Sequence, residues 1–278
     1  MIIYKTLIIS KKNKIKTYDE FLEKIVKNKI TVKIIKLIIN SFLLFSFYIM
    51  VAGISAFFYQ QFNFNKIICS SVFSFFCYFI FKNNIEKIIK INSILVLIII
   101  IIFLIFALKN LNYLNNKKIN INNNLWFISS ILYSSYNTIT LIGMLTIIHN
   151  YLKNKKECLI VSISVGIIIL ILAIIIFLLL INLNEKNEIP ILIISKLFGK
   201  FYNYLYGILI FTAIFTTAIS EGYTFIQNVS RNNKNKIDLI VCISAVPFAM
   251  LGFSNLVNNI YPLFGIIGLI QIFFILLN

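Results

Sequence analysis

One carboxylate in this chain stands where a carboxylate is costly. Glu221 falls within the apolar stretch FTAIFTTAISEGYTFIQN (211–228), and it is the one acid read as lying inside a membrane span. A charge at the centre of a bilayer costs roughly 2.5–3.5 kcal/mol or more, so such a group is paired, protonated or turned toward water. Thr217, Glu221, Thr224 and Asn228 follow the spacing i, i+4, i+7 and i+11, which is one face of a helix. Thr216 and Ser220 form the adjoining stripe. An acid placed on such a face can bind a cation or a proton, which makes Glu221 a candidate cation or proton site. A plainer alternative stays open: Glu221 lies about ten residues before Arg231, within reach of an aqueous interface.

A second polar group is denser. In SSILYSSYNTIT (129–140), Ser134, Ser135, Tyr136, Asn137 and Thr138 are consecutive. Successive residues of a helix point about 100° apart, so these five cannot share one neighbour. Either the chain unwinds here and lines a polar cavity, or a regular helix satisfies its hydroxyls on its own carbonyls. A third group, GFSNLVNNIYPLFGIIGLIQI (252–272), has Gly252, Pro262, Gly265 and Gly268 flanking a tight re-entry, with Asn255, Asn258 and Asn259 suited to a short outer loop. Small residues there permit close helix packing.

Other chemistry finds no support. No HExxH, GxSxG or phosphate-binding loop is present, and no paired carboxylates lie within a span. An enzyme is therefore not expected. Cys69, Cys77, Cys158 and Cys242 lack paired spacing and read as small buried hydrophobes. His149 has no neighbouring ligands, so no metal site is expected.

The elements that must position these residues are membrane helices. Of 278 residues, 60% are hydrophobic and 13% charged, against about 25% charged in soluble domains. The mean hydropathy is +0.93. Eight spans are predicted, at 34–58, 66–81, 91–108, 125–148, 158–182, 202–229, 237–254 and 259–277. Residues 1–33 form a basic amphipathic segment too charged to span, and 34–278 form the transmembrane helical domain. The net charge of +17 lies in short loops between spans, so it is no nucleic-acid footprint. With the N-terminus inside, 19 Lys and Arg fall on the inner side and 7 on the outer. The positive-inside rule then puts both termini in the cytoplasm. Two longer outer loops are expected, at 109–124 and at 184–200, the latter with a short apolar run between Pro190 and Gly199.

Several of these stretches carry a family resemblance. VAGISAFFYQQF (51–62), ILYSSYNTIT (131–140), IPILIISKLFG (189–199), FTTAIS (215–220) and GFSNLVNNIYPLFGIIGL (252–269) resemble the YkvI-like bacterial membrane proteins. That group looks like distant relatives of the amino acid–polyamine–organocation transporters, with the LeuT-like fold of two inverted five-helix repeats. The last motif is the most specific. Aligned on these motifs, span 34–58 corresponds to the family's third helix, the SSYN stretch to its discontinuous sixth and the TTAIS stretch to its eighth. Nothing in residues 1–33 matches the family's Gly-rich first-helix motif. The resemblance thus implies an incomplete LeuT-like bundle: a truncated product, a misplaced start or a degenerate member.

The resemblance also implies a function. Ser134, Tyr136, Asn137 and Thr138 would be the surviving half of a substrate site, and Thr216 and Thr217 would sit where hydroxyls help bind sodium. The expected protein is an all-α permease of the bacterial cytoplasmic membrane for a small solute, an amino acid or amine. Coupling to sodium ion or proton is expected, with no other cofactor. Two further readings stand beside it: a non-transporting membrane receptor or scaffold, and an inactive fragment. Its partners would be the lipid bilayer, a small solute and another membrane chain covering an exposed helix face, with no nucleic acid.

Overall fold

The computed structural model describes residues 1–83, 85–111, 125–180, 195–230 and 234–277. Among them the chain is all-helical. The expected outer loop at 109–124 and the connector at 184–200 lie largely outside the described residues. At the edge of the latter, buried Ser195 meets Asn203 Oδ1 at 3.3 Å.

The N-terminal segment folds into two short helices before the first long one. Helix α1 (Ile2–Asn13) ends where Lys14 takes the left-handed conformation. Helix α2 (Tyr18–Ile25) starts on a reciprocal cap. Thr17 Oγ1 accepts from Glu20 N at 3.2 Å, and Glu20 Oε2 accepts from Lys16 N at 2.7 Å. The sequence TYDE is a capping-box pattern, and it orders α2 from within. Asn28 then caps α3 (Lys29–Phe62) through Ile30 N and Thr31 N. At 34 residues, α3 is about 51 Å long, well beyond a hydrocarbon core of about 30 Å.

Seven more α-helices follow among the described residues: α4 (Lys66–Phe81), α5 (Ile85–Leu111), α6 (Trp126–Ile148), α7 (Lys155–Leu180), α8 (Lys200–Val229), α9 (Lys234–Ala249) and α10 (Phe253–Leu277). Five of the helices are long and apolar enough to cross a membrane: those at Lys29–Phe62, Glu86–Lys109, Lys155–Leu180, Lys200–Val229 and Phe253–Leu277. The apolar helix α4 is shorter, and α6 and α9 fall outside that set. The eight predicted spans fall mainly on helices, although 237–254 runs past Ala249 through a turn into the next helix, and five helices among the described residues meet the length and hydropathy that spanning requires. The chain has the character of a multi-pass membrane protein.

α3 and α8 pack along each other at the centre, and their apolar windows are 61% and 44% buried, against 11% for α7. α7 thus turns Ile and Leu outward on nearly every side, as a lipid-facing helix does. α5 lies on α8, α4 on α9, and α10 along α6. The α6–α10 contact is close because Gly268 has no side chain: a Cβ there would run into the backbone carbonyl of Ser135. This supports close packing through small residues.

The last two spans are drawn differently from the sequence expectation. The turn falls at Met250–Gly252, with Gly252 at φ 90°. Helix α10 begins at Phe253, so Asn255, Asn258 and Asn259 lie inside it rather than in an outer loop. Asn255 and Asn259 bond back to Leu251 O and Asn255 O, at 3.1 and 2.9 Å. Those amides satisfy themselves on the preceding turn, so a helix tolerates them where an Asn-rich loop was expected.

Candidate solute cavity

A cavity of about 330 Å³ near α7 is lined mainly by apolar side chains; a larger one, about 680 Å³, gathers polar groups. It lies between α5, α6 and α8, with Ile169 of α7, Met1 and the first residues of α1, Ile2 and Ile3, at its edge. From α6 it is lined by Tyr133, Ser134, Asn137, Thr138 and Thr140, and from α8 by Thr216, Thr217, Ser220 and Glu221. Six of the seven residues singled out in the sequence therefore meet in one place, although 78 positions or more separate the two groups.

Tyr136 is the exception. One residue's rotation turns it to the other side of α6, where its ring lies tilted at 4.5 Å from Tyr261 and 6.5 Å from Phe42. Its expected place in a substrate site is not where the structure puts it. Consecutive helix residues diverge by about 100°, and the aromatic cluster of α3 and α10 offers this ring a better-matched contact than a polar cavity does.

α6 is unbroken from Trp126 to Ile148. Its hydroxyls and amide serve their own helix. Ser134 Oγ donates to Ser130 O at 2.9 Å, Asn137 Nδ2 to Tyr133 O at 2.7 Å, Thr138 Oγ1 to Ser135 O at 2.6 Å and Thr140 Oγ1 to Asn137 O at 2.9 Å. Between the two alternatives for the SSYN stretch, the continuous helix with back-bonded hydroxyls is the one observed. Each of these oxygens keeps acceptor capacity toward the cavity.

α8 differs. Thr216 and Thr217 both donate to Ala213 O at 3.0 Å, and Ser220 to Thr216 O at 2.8 Å. Glu221 is 4% exposed, and its Oε2 has no hydrogen-bond partner among the described residues. Ser46 of α3, equally buried and with an unpartnered Oγ, stands beside it and beside Tyr261. An acidic group with one unpartnered oxygen and the Ser46 hydroxyl as its neighbour, at the wall of a cavity that also presents the threonine oxygens, can take a proton or a cation. The oxygens of Thr217 and Glu221 come from one helix face and that of Thr216 from the adjoining stripe, all toward the same cavity, which suits a monovalent cation held partly by water or solute.

Two residues were passed over in the sequence. Asn92 of α5 lines the cavity and donates from Nδ2 to Ser220 Oγ at 2.9 Å, while its Oδ1 is buried without a partner among the described residues. The signal was a lone amide at the start of an Ile-rich span. Asp238, at the edge of the predicted span 237–254, is fully buried as well, so Glu221 is not the only acid withdrawn from water. The cysteines are free, and Cys77, Cys158 and Cys242 are buried. No cluster of three or more His, Cys, Asp or Glu occurs among the described residues. Compared with protein families, with curated proteins and with solved structures, the chain finds no match.

Proposed function

We propose that this chain is a permease of the bacterial cytoplasmic membrane that binds a small solute, an amino acid or amine, between α5, α6 and α8. The observation that carries the proposal is Glu221: a buried acid with an unpartnered oxygen on the wall of a cavity of about 680 Å³ whose apolar lining is broken by hydroxyls and amides of α5, α6 and α8. The cavity has room for a small metabolite. Ser134, Asn137, Thr138 and Asn92 accept or donate hydrogen bonds to the solute, and Thr216, Thr217 and Glu221 hold the coupling cation, sodium ion or proton. The YkvI-like, LeuT-related character and the cytoplasmic placing of both termini are part of this reading, and the sequence motifs and the charge bias alone support them.

The test is uptake by purified protein in proteoliposomes, with amino acids and amines supplied under a sodium or proton gradient. Uptake driven by one gradient, and its loss in Glu221→Gln, is the expected result. Gradient-driven uptake that persists unchanged in that variant removes Glu221 from the coupling site. The continuity of α6 favours a second reading, a receptor that binds without transport, because alternating access about a broken helix has no break here to use. Saturable binding without flux in the same liposomes would select it.

A further inference from the structure

We propose that α2 is a plug that closes an outlet running from the cavity along the polar stripe of α8. The stripe does not stop at the cavity floor. Thr217 and Glu221 line the cavity. One turn on, Thr224 is 2% exposed and wedged against Gly143 and Met144 of α6. A further turn on, Asn228 Nδ2 donates to Asn40 Oδ1 of α3 at 2.7 Å. The polar path thus continues from Glu221 over seven residues, about 10 Å of helix, to the end of the bundle that α2 covers.

α2 seals that end with its whole apolar face. Tyr18, Phe21, Leu22 and Ile25 are each 3% exposed or less. The Tyr18 ring lies over Gly143, beside Thr224, and the Tyr18 hydroxyl is hydrogen-bonded by Gln271 Nε2 of α10. Yet α2 has only eight residues, joined through short links on both sides. Its outer face is held by a polar latch. Lys36 Nζ lies 2.6 Å from Glu23 and 3.6 Å from Asp19, and Asn40 Nδ2 donates to Asp19 Oδ1 at 3.3 Å. Asn40 therefore ties α2 and the last residue of the stripe to the same side chain.

The closed arrangement leaves buried acceptors unsatisfied on the stripe and under the plug, Asn228 Oδ1 and Gln271 Oε1. Water entering as α2 lifts would satisfy both, which offsets part of the apolar burial lost on opening. A helix that orders itself by its own cap can move as a unit.

The experiment is thiol accessibility at the constriction, in detergent, on the full chain with its four native cysteines replaced. Thr224→Cys reports the outlet, and Ser70→Cys, fully buried on α4 near its Lys66 end, reports general loosening. Modification by a hydrophilic maleimide is timed with the latch intact and with Lys36→Ala and Asn40→Ala combined. The expected result is a tenfold or greater rise at position 224 with no change at position 70, and restoration of the slow rate when Lys36→Arg replaces Lys36→Ala. Equal rises at both positions, or no rise at 224, overturn the plug. A chain that moves no solute would still show the difference at 224, and a permease without the plug would not.

Discussion

α6 and α8 carry the two most polar stretches of the membrane domain, and they handle polarity in opposite ways. On α6 the hydroxyls and Asn137 return to carbonyls three or four residues back. On α8 the threonines do the same, but Glu221 and Asn228 keep buried oxygens without partners. Density of polar residues is therefore a poor guide to unmet demand. A side chain short enough to reach its own backbone closes its account locally, whereas a carboxylate accepts and cannot turn to a carbonyl for satisfaction. α6 supplies a wall, and α8 supplies the group that attracts a ligand.

The largest expected effect sharpens α6's part as a packing surface. Gly268→Val should push α10 off the Ser135 carbonyl and cost about 3 kcal/mol, the upper end for overpacking, read as a lowered thermal midpoint in detergent. The solute site itself is tested next. Glu221→Gln should weaken binding of the transported solute tenfold or more, with an unchanged thermal midpoint because the amide conserves the side chain's volume. A loss of both binding and stability would break the contrast between the helices. Asn137→Ala on α6 should weaken solute binding several-fold, about 1 kcal/mol, with an unchanged thermal midpoint. Unaltered affinity would leave α6 as scaffold alone.

The smallest expected effect concerns α2. Burial raises the Asp19 carboxyl above its ordinary range, opposed by Lys36 and Asn40. The folded chain then keeps the proton to higher pH than the unfolded chain does. The stability so contributed is full below the ordinary carboxylate range and is lost as pH rises through the raised value. Asp19→Asn should flatten that slope in melting curves recorded from about pH 3.5 to about pH 7, a slope retained in the variant pointing instead to another acid.

Much of the helical pattern was legible because a bilayer constrains it tightly. Runs of Ile, Leu and Phe must span, and the i, i+4, i+7 stripe on α8 followed from helical geometry alone. What was not legible depended on neighbours. Tyr136 sits among four polar residues in sequence, yet its ring joins Phe42 and Tyr261. Asn255, Asn258 and Asn259 looked like loop residues until the Gly252 turn put them in α10. Asn92 drew no notice as a lone amide, since only the approach of α5 to Ser220 makes it part of the cavity.

The amino-acid sequence by itself determined that this chain is a helical membrane protein, where its helices lie, and that Glu221 shares a face with Thr217, Thr224 and Asn228. Those properties depend on hydropathy and on the helical repeat, which are local. Only the tertiary structure decided that the α6 and α8 groups face one cavity, that α6 runs through unbroken and that the basic N-terminal segment wedges α2 against the end of the stripe. Those outcomes depend on which helix faces pack together, and packing is settled by contacts between residues far apart in the chain.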